Sequence, residues 1–321
     1  MAVLWCNAGL EPGSRTLLDR AAGRHRVISP GGPARSILEA GPTDDSVLEA
    51  EIVFGQPDPA LLLRSERVRW VQITTAGYTR YDNGVFREFL RNQSCAFTNS
   101  SSVFDEACAE HALALMLGFA RQTAASASAQ ALGQGWQSAG LRPRTFLLRN
   151  RRVVVLGFGA IGRRLARLLS PFRCAVVAVR RSPQPGSTRQ VGWEEAGPEL
   201  ERADDVVNLL PESAETAGRC NAAFFAGLKP GACFYNIGRG ATVDASALLA
   251  ALNGGLLAGA ALDVTDPEPL PPSHPLWKAP NCWITPHLAG GYAGENRAMV
   301  EHFTANLRRF SRGAALRDRV W

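Results

Sequence analysis

The sequence predicts an α/β protein made of two doubly wound parallel sheets, and three features of the 321-residue chain predict it. Over the first hundred residues, short β-like runs alternate with helix-like stretches, which implies parallel strands with helices on both faces. A long segment rich in Ala, Leu and Met, Asp105 to Ala131, interrupts the alternation. A second strand–helix series then starts at Val153 and runs at once into a glycine-rich turn. The length agrees, since a chain of this size accommodates two domains of about 150 residues.

The first series reads as strands at Ala2 to Trp5, His25 to Ser29, Ile52 to Gly55, Val68 to Ile73 and Cys95 to Asn99. Between them Leu17 to Ala22, Ala34 to Leu38 and Pro59 to Arg64 read as short helices. Ser100, Ser101 and Ser102 then offer N-caps to the long helix, which at roughly 27 residues would reach about 40 Å and suits an interdomain connector. Residues 133–150 are irregular. The second series gives strands at Val153 to Leu156, Ala175 to Val179, Val206 to Leu209, Ala232 to Asn236, Gly259 to Val264 and Cys282 to Thr285. The stretch 265–280 holds six prolines and is expected to be a surface loop. Gly294 to Arg312 reads as an amphipathic helix. Residues 1–99 with 288–321 are therefore expected to form one domain and residues 100–287 the other, joined by two crossings that make a hinge beside a cleft.

Composition narrows the function. Hydrophobic residues make up 46% of the chain and charged residues 20%, with mean hydropathy −0.07, which excludes disorder as the main state. No apolar run approaches the roughly 20 residues that span a bilayer, and the N-terminus lacks the zones of a signal peptide, so a cytoplasmic protein without a membrane partner is expected. The net charge of +6 raises a nucleic-acid role. The basic residues argue against it, because they are scattered and never run to more than two in a row. Seven cysteines lie far apart with no C-x-x-C, which points to small core residues and to no metal.

The chemistry begins at Gly157-Phe158-Gly159-Ala160-Ile161-Gly162, which follows the strand Val153 to Leu156 and opens a helix. In that setting G-x-G-x-x-G is a dinucleotide site: the glycines allow a tight turn, a close pyrophosphate and helix-on-strand packing, and helix N-terminal amides meet the anion. At the end of the next strand, where an acid would bond the ribose 2′-OH of NAD, stand Arg180, Arg181 and Ser182. Two guanidinium groups and a hydroxyl suit a 2′-phosphate, so NADP(H) is preferred, with NAD(H) still open. The alternative is a pair of solvated arginines.

Three further segments carry functional side chains just past strand ends: Arg239, Glu268 and His287. Each has a bland reading as a paired arginine, a loop acid or a core histidine. Together, and in this order after a nucleotide turn, they are hard to explain otherwise: Arg239 can grip a carboxylate and polarise a carbonyl, His287 can supply a proton, and Glu268 can hold the imidazole in one tautomer.

The sequence resembles the D-isomer-specific 2-hydroxyacid dehydrogenase family over almost its whole length. The resemblance is carried by Ala109-Glu110-His111 with Leu113 to Leu117, by the glycine turn, and by Leu228-Lys229-Pro230-Gly231-Ala232 leading into Asn236-x-Gly238-Arg239-Gly240. It continues through Val243-Asp244, Ala247-Leu248, Gly259-Ala260-x-Leu262-Asp263-Val264, Glu268-Pro269-Leu270-Pro271, His274-Pro275-Leu276-Trp277 and Thr285-Pro286-His287. Among NADP-using members it is most similar to glyoxylate/hydroxypyruvate reductases.

The resemblance implies a flavodoxin-like substrate domain beside a Rossmann dinucleotide domain, with Arg239, Glu268 and His287 as the catalytic set. It also implies that the amides of Ala76 and Gly77 bind the substrate carboxylate, and that Asp263 accepts from the nicotinamide carboxamide. Leu210, Pro211 and Thr216 would line the nucleotide groove and Ile237 the nicotinamide. Thr79-Arg80 departs from the pattern, where many members have a glycine, so Arg80 is left open toward a second anionic group. His274 is expected to be structural and His111 to have an interface or core role, while Trp136 and Trp277 are expected to pack either in a homodimer contact of the dinucleotide domain or in the core. A small 2-keto acid reduced to the D-2-hydroxy acid is the expected reaction. A cofactor-sensing, corepressor-like binding protein and a phosphoglycerate-type dehydrogenase remain alternatives, the latter disfavoured by a chain ending at Trp321.

Overall fold

The computed structural model describes residues 1–32 and 40–321. It divides into two compact units, residues 1–104 with 291–321, and residues 105–290. Each holds one parallel sheet with flanking helices. The helix expected at Ala34 to Leu38 lies outside the described residues.

In the first unit, strands β1 (Val3–Cys6), β2 (Arg26–Ile28), β3 (Ile52–Gly55), β4 (Trp70–Ile73) and β5 (Ala96–Thr98) form a sheet in the order β2-β1-β3-β4-β5. The central strands are buried on both faces, which is why they read as unbroken apolar runs. Aromatic rings fill much of this core. Phe303 of the Glu295–Phe310 helix stacks on Phe54 at 4.2 Å and on Trp70 at 5.1 Å. The Gly84–Asn92 helix, absent from the expectation, is capped by Asn83 and buries Phe86 and Leu90.

In the second unit, strands β6 (Arg152–Leu156), β7 (Ala175–Val179), β8 (Arg189–Val191), β9 (Asp205–Asn208), β10 (Ala232–Asn236), β11 (Leu257–Leu262) and β12 (Cys282–Ile284) follow the order β12-β11-β10-β9-β6-β7-β8. The order reverses between β6 and β9, and ligands of open α/β sheets bind beyond the carboxyl ends at such a point. The core is mainly aliphatic, with Val154, Leu156, Val177, Val206, Leu248 and Leu262 among its members.

Three expectations need correction. The long helix is not one rod of some 27 residues: Ser101–Arg121 ends at Gln122, whose backbone is left-handed (φ 56°), and Thr123–Ala131 follows as a second helix. The Gln122 amide and side chain both turn back to the Phe119 carbonyl, closing the first helix. That helix is also packed rather than free-standing, since Ala109, Ala112, Met116 and Phe119 are buried and Phe119 stacks on Trp283 at 3.8 Å. Its N-terminus is not capped by Ser100, whose hydroxyl donates to the Ile73 carbonyl at 2.7 Å. Asn99 and the distant Asp318 serve instead; Asp318 accepts from the Ser102 amide at 2.8 Å and from its hydroxyl at 2.6 Å. Finally, the proline-rich stretch 265–280 is not wholly at the surface, because Leu270 and Leu276 reach into the aliphatic core.

Candidate active site

Across the carboxyl edge of the second sheet, the predicted residues fall in spatial order. His287 follows β12, Asp263 and Glu268 follow β11, Ile237 and Arg239 follow β10, Leu210 follows β9, the glycine turn follows β6, and Arg180 follows β7. At about 4.8 Å per strand this row spans roughly 25 Å.

The glycine turn has the geometry a dinucleotide needs. Gly157 adopts φ +88°, and a Cβ there would lie 2.9 Å from the Leu209 carbonyl oxygen. At Gly159, by contrast, a Cβ would meet nothing within 4 Å, so the space before the Ala160–Leu169 helix is open. The first-turn amides of that helix have no intrahelical acceptor and face this space, a cradle that fits a pyrophosphate. Phe158 and Ile237 are buried beside it. Arg180 is half-buried and reaches Gln190 at 3.5 Å, while Arg181 is exposed and pairs with Glu215 at 3.3 Å; Ser182 is exposed. Thr216 is less free than expected. Its hydroxyl donates to the Pro211 carbonyl at 2.6 Å and accepts from the Ser213 amide, so it shapes the 211–216 loop itself.

Arg239 sits in a turn built by buried polar side chains that sequence reasoning did not single out. The Asn208 amide donates to Asn236 Oδ1 at 3.0 Å and to Thr242 Oγ1 at 2.7 Å. Asn236 and Thr242 both donate to the Arg239 carbonyl, and Asn236 Oδ1 accepts from the Gly238 amide. The guanidinium donates to the Gly238 carbonyl at 2.7 Å and has no carboxylate partner among the described residues, which leaves its fork available to an anion. Gly240 is demanded by close approach: a Cβ would lie 1.9 Å from the Thr265 carbonyl oxygen. This contact brings the 265–268 loop, and with it Glu268, beside the Arg239 turn.

His287 Nδ1 is hydrogen-bonded to Glu268 Oε1, and Glu268 Oε2 accepts from the Thr265 amide at 3.3 Å. The other ring nitrogen, Nε2, has no hydrogen-bond partner among the described residues. The His287 backbone is left-handed (φ 52°) and is held by Asp263, whose carbonyl accepts from its amide at 2.9 Å. The Asp263 carboxylate, 2% exposed, accepts from the Thr285 hydroxyl at 2.6 Å, the Leu288 amide at 2.8 Å and the Ala289 amide at 2.9 Å. Three of its roughly four acceptor positions are thus spent within the chain, and one on Oδ2 stays open. His111, expected to have an interface or core role, joins this group through Thr285. Its only sequence signal was its place beside Glu110 in the connector helix. His274 caps the short helix Pro275–Lys278 by accepting from the Leu276 amide.

In the first unit, the turn after β4 carries Ala76 and Gly77. Their carbonyls are tied down by Asn99 Nδ2 and Thr75 Oγ1, each at 2.7 Å, while their amides have no partner among the described residues. Arg80 is exposed, with its guanidinium 5.5 Å from the Tyr81 ring.

Comparison with known proteins identifies the family. A family model described as D-isomer specific 2-hydroxyacid dehydrogenase, NAD binding domain, matches residues 113–289. The chain is 31% identical over 263 residues to a glyoxylate reductase of Pyrococcus furiosus, covering 80% of this chain and 76% of that protein. It is 42% identical over 142 residues to a glyoxylate/hydroxypyruvate reductase A of Serratia proteamaculans, 44% of this chain and 45% of that one. Among solved structures, a D-isomer specific 2-hydroxyacid dehydrogenase from Xanthobacter autotrophicus, in complex with NADPH and MES, matches with a TM-score of 0.81 at 26% identity, over 100% of this chain and 98% of that one. With the glycine turn and the residues at the neighbouring strand ends, these matches establish that the chain belongs to the D-isomer specific 2-hydroxyacid dehydrogenase family and is an NAD(P)-dependent oxidoreductase.

Proposed function

We propose that the protein reduces a small 2-keto acid of the glyoxylate or hydroxypyruvate type to the D-2-hydroxy acid, with NADPH as the preferred coenzyme. The observation that carries this reading is the His287–Glu268 pair set two strands from an Arg239 guanidinium that has no carboxylate partner among the described residues. The coenzyme, when bound, supplies the hydride. Arg239 binds the substrate carboxylate and draws electron density from the carbonyl, and the amides of Ala76 and Gly77, which have no partner among the described residues, are assigned to carboxylate binding. As the carbonyl carbon gains the hydride, His287 Nε2 donates its proton to the oxygen, so alcohol and oxidised coenzyme form together. Glu268 holds Nδ1 protonated and thereby keeps Nε2 as the catalytic nitrogen.

Coenzyme preference rests on Arg180 and Arg181 and on the lack of an acid where β7 ends. The Xanthobacter relative that holds NADPH, and the relatives named glyoxylate reductase, support coenzyme and substrate alike. The open Asp263 position suits a carboxamide N–H. The second unit also presents Leu132, Trp136 and Leu147 at 68%, 95% and 66% exposure, and we assign this arm to a homodimer contact. The test is a spectrophotometric panel of 2-keto acids, each with NADPH and NADH. Turnover of glyoxylate or hydroxypyruvate that favours NADPH supports the reading, and inactivity toward every 2-keto acid rejects it.

A further inference from the structure

We propose that His111 is a positioning residue: through Thr285 and Asp263 it fixes the 285–289 segment, and with it the attitude of the His287 ring. The proposal rests on the reading of His287 as the proton donor. His111 Nε2 lies 3.1 Å from Thr285 Oγ1 and 3.4 Å from Asp263 Oδ1. The Thr285 hydroxyl has one proton, and it goes to Asp263 at 2.6 Å. The imidazole can therefore meet that hydroxyl only as a donor, which places a proton on Nε2.

Two features make this donor matter. Asp263 is buried, and no arginine or lysine pairs with it among the described residues. Its charge is met by the Leu288 and Ala289 amides, the Thr285 hydroxyl and the nearby imidazole. Because hydrogen bonds in a chain polarise one another, losing the His111 N–H weakens the Thr285 hydroxyl as a donor to Asp263 and loosens the cluster that holds those amides. Those same amides follow directly on His287, whose left-handed backbone an L residue keeps only when its surroundings enforce it. The ring is also delivered by a rigid element. Eight residues further along the same helix, Phe119 stacks on Trp283 of β12, so one helix grips the strand that leads into His287.

The test compares His111→Leu, which removes the donor and keeps bulk, with His111→Gln, which restores an N–H. Two quantities are read: the rate of 2-keto acid reduction, and amide hydrogen exchange over residues 285–289. His111→Leu should lower kcat at least about tenfold with coenzyme KM changed less than about twofold, and should speed exchange at Leu288 and Ala289. His111→Gln should recover kcat to within about threefold of the natural protein and restore protection. If the leucine variant does not fold, His111→Asn, too short to reach Thr285, takes its place. Unchanged kcat in the leucine or asparagine variant overturns the proposal, as does a glutamine variant equally impaired. His287→Asn, measured alongside, separates the two levels: full activity there rejects the proton-donor reading itself.

Discussion

The two units share an architecture and differ in what fills it. The first unit packs aromatic rings, with Trp5, Trp70, Phe54, Phe97 and Phe303 all fully buried. In the turn after its β4, Asn99 and Thr75 tie down the carbonyls of Ala76 and Gly77, whose amides have no partner among the described residues. The second unit packs valine, leucine and alanine, and four of its buried polar residues, Asn208, Asn236, Thr242 and Asp263, lie along the carboxyl edge. There they fix the turns that carry Arg239 and His287. One architecture is thus filled in two ways.

The sharpest way to break this comparison is at the reactive edge. His287→Asn should lower kcat on the order of 10²- to 10⁴-fold while the protein melts nearly as before, because the half-exposed ring adds little to the core. Stopped-flow reduction beside a thermal melt would check it; a small rate loss would mean the proton comes from elsewhere. Phe303→Ala should do the converse. Removing a ring stacked on both Phe54 and Trp70 should destabilise the first unit by about 3–5 kcal/mol, yet leave coenzyme affinity of the second unit nearly unaltered. Urea unfolding combined with NADPH fluorescence titration would show whether the two losses part company.

A smaller effect is expected at the coenzyme end. Replacing Arg180 and Arg181 together by alanine should raise the KM for NADPH about tenfold to a hundredfold and leave that for NADH within about twofold. Equal shifts for both would remove the 2′-phosphate from the argument. The smallest effect concerns pH and belongs to the first unit. Burial lowers the pKa of His302 from 6.5, against the attraction of Asp318. The folded state therefore prefers the neutral ring, the unfolded chain binds the extra proton, and stability should decline as pH falls below about 6.5. His302→Gln should flatten that slope in urea midpoints taken between pH 7 and 5.

The second unit was the more legible of the two, for physical reasons. Its strands are long and apolar, and its functional residues sit in short motifs immediately after them, so β7 and β10 have the expected bounds at Ala175–Val179 and Ala232–Asn236. Edge strand β8, polar and three residues long, lacked any such run. The break at Gln122 was hidden because no glycine or proline marks it; a polar side chain returning to its own helix does the work. Asp318 as a cap for Ser102 is separated from it by 216 residues and leaves no local trace. Likewise the ties from Asp263 to Thr285, Leu288 and Ala289 cross from one strand end to the next, and two of the three involve amides that every sequence has.

The chain order of these parts bears on how the protein comes to be made. Residues 105–290 are contiguous and leave the ribosome before Phe303, Asp318 or the Arg319 bridge to Thr98 exists. For that interval the N-terminal strands wait with Phe54 and Trp70 uncovered, while the coenzyme-binding half can already close on itself. Nascent protein stalled before residue 295 would on this ground be the species that chaperones hold.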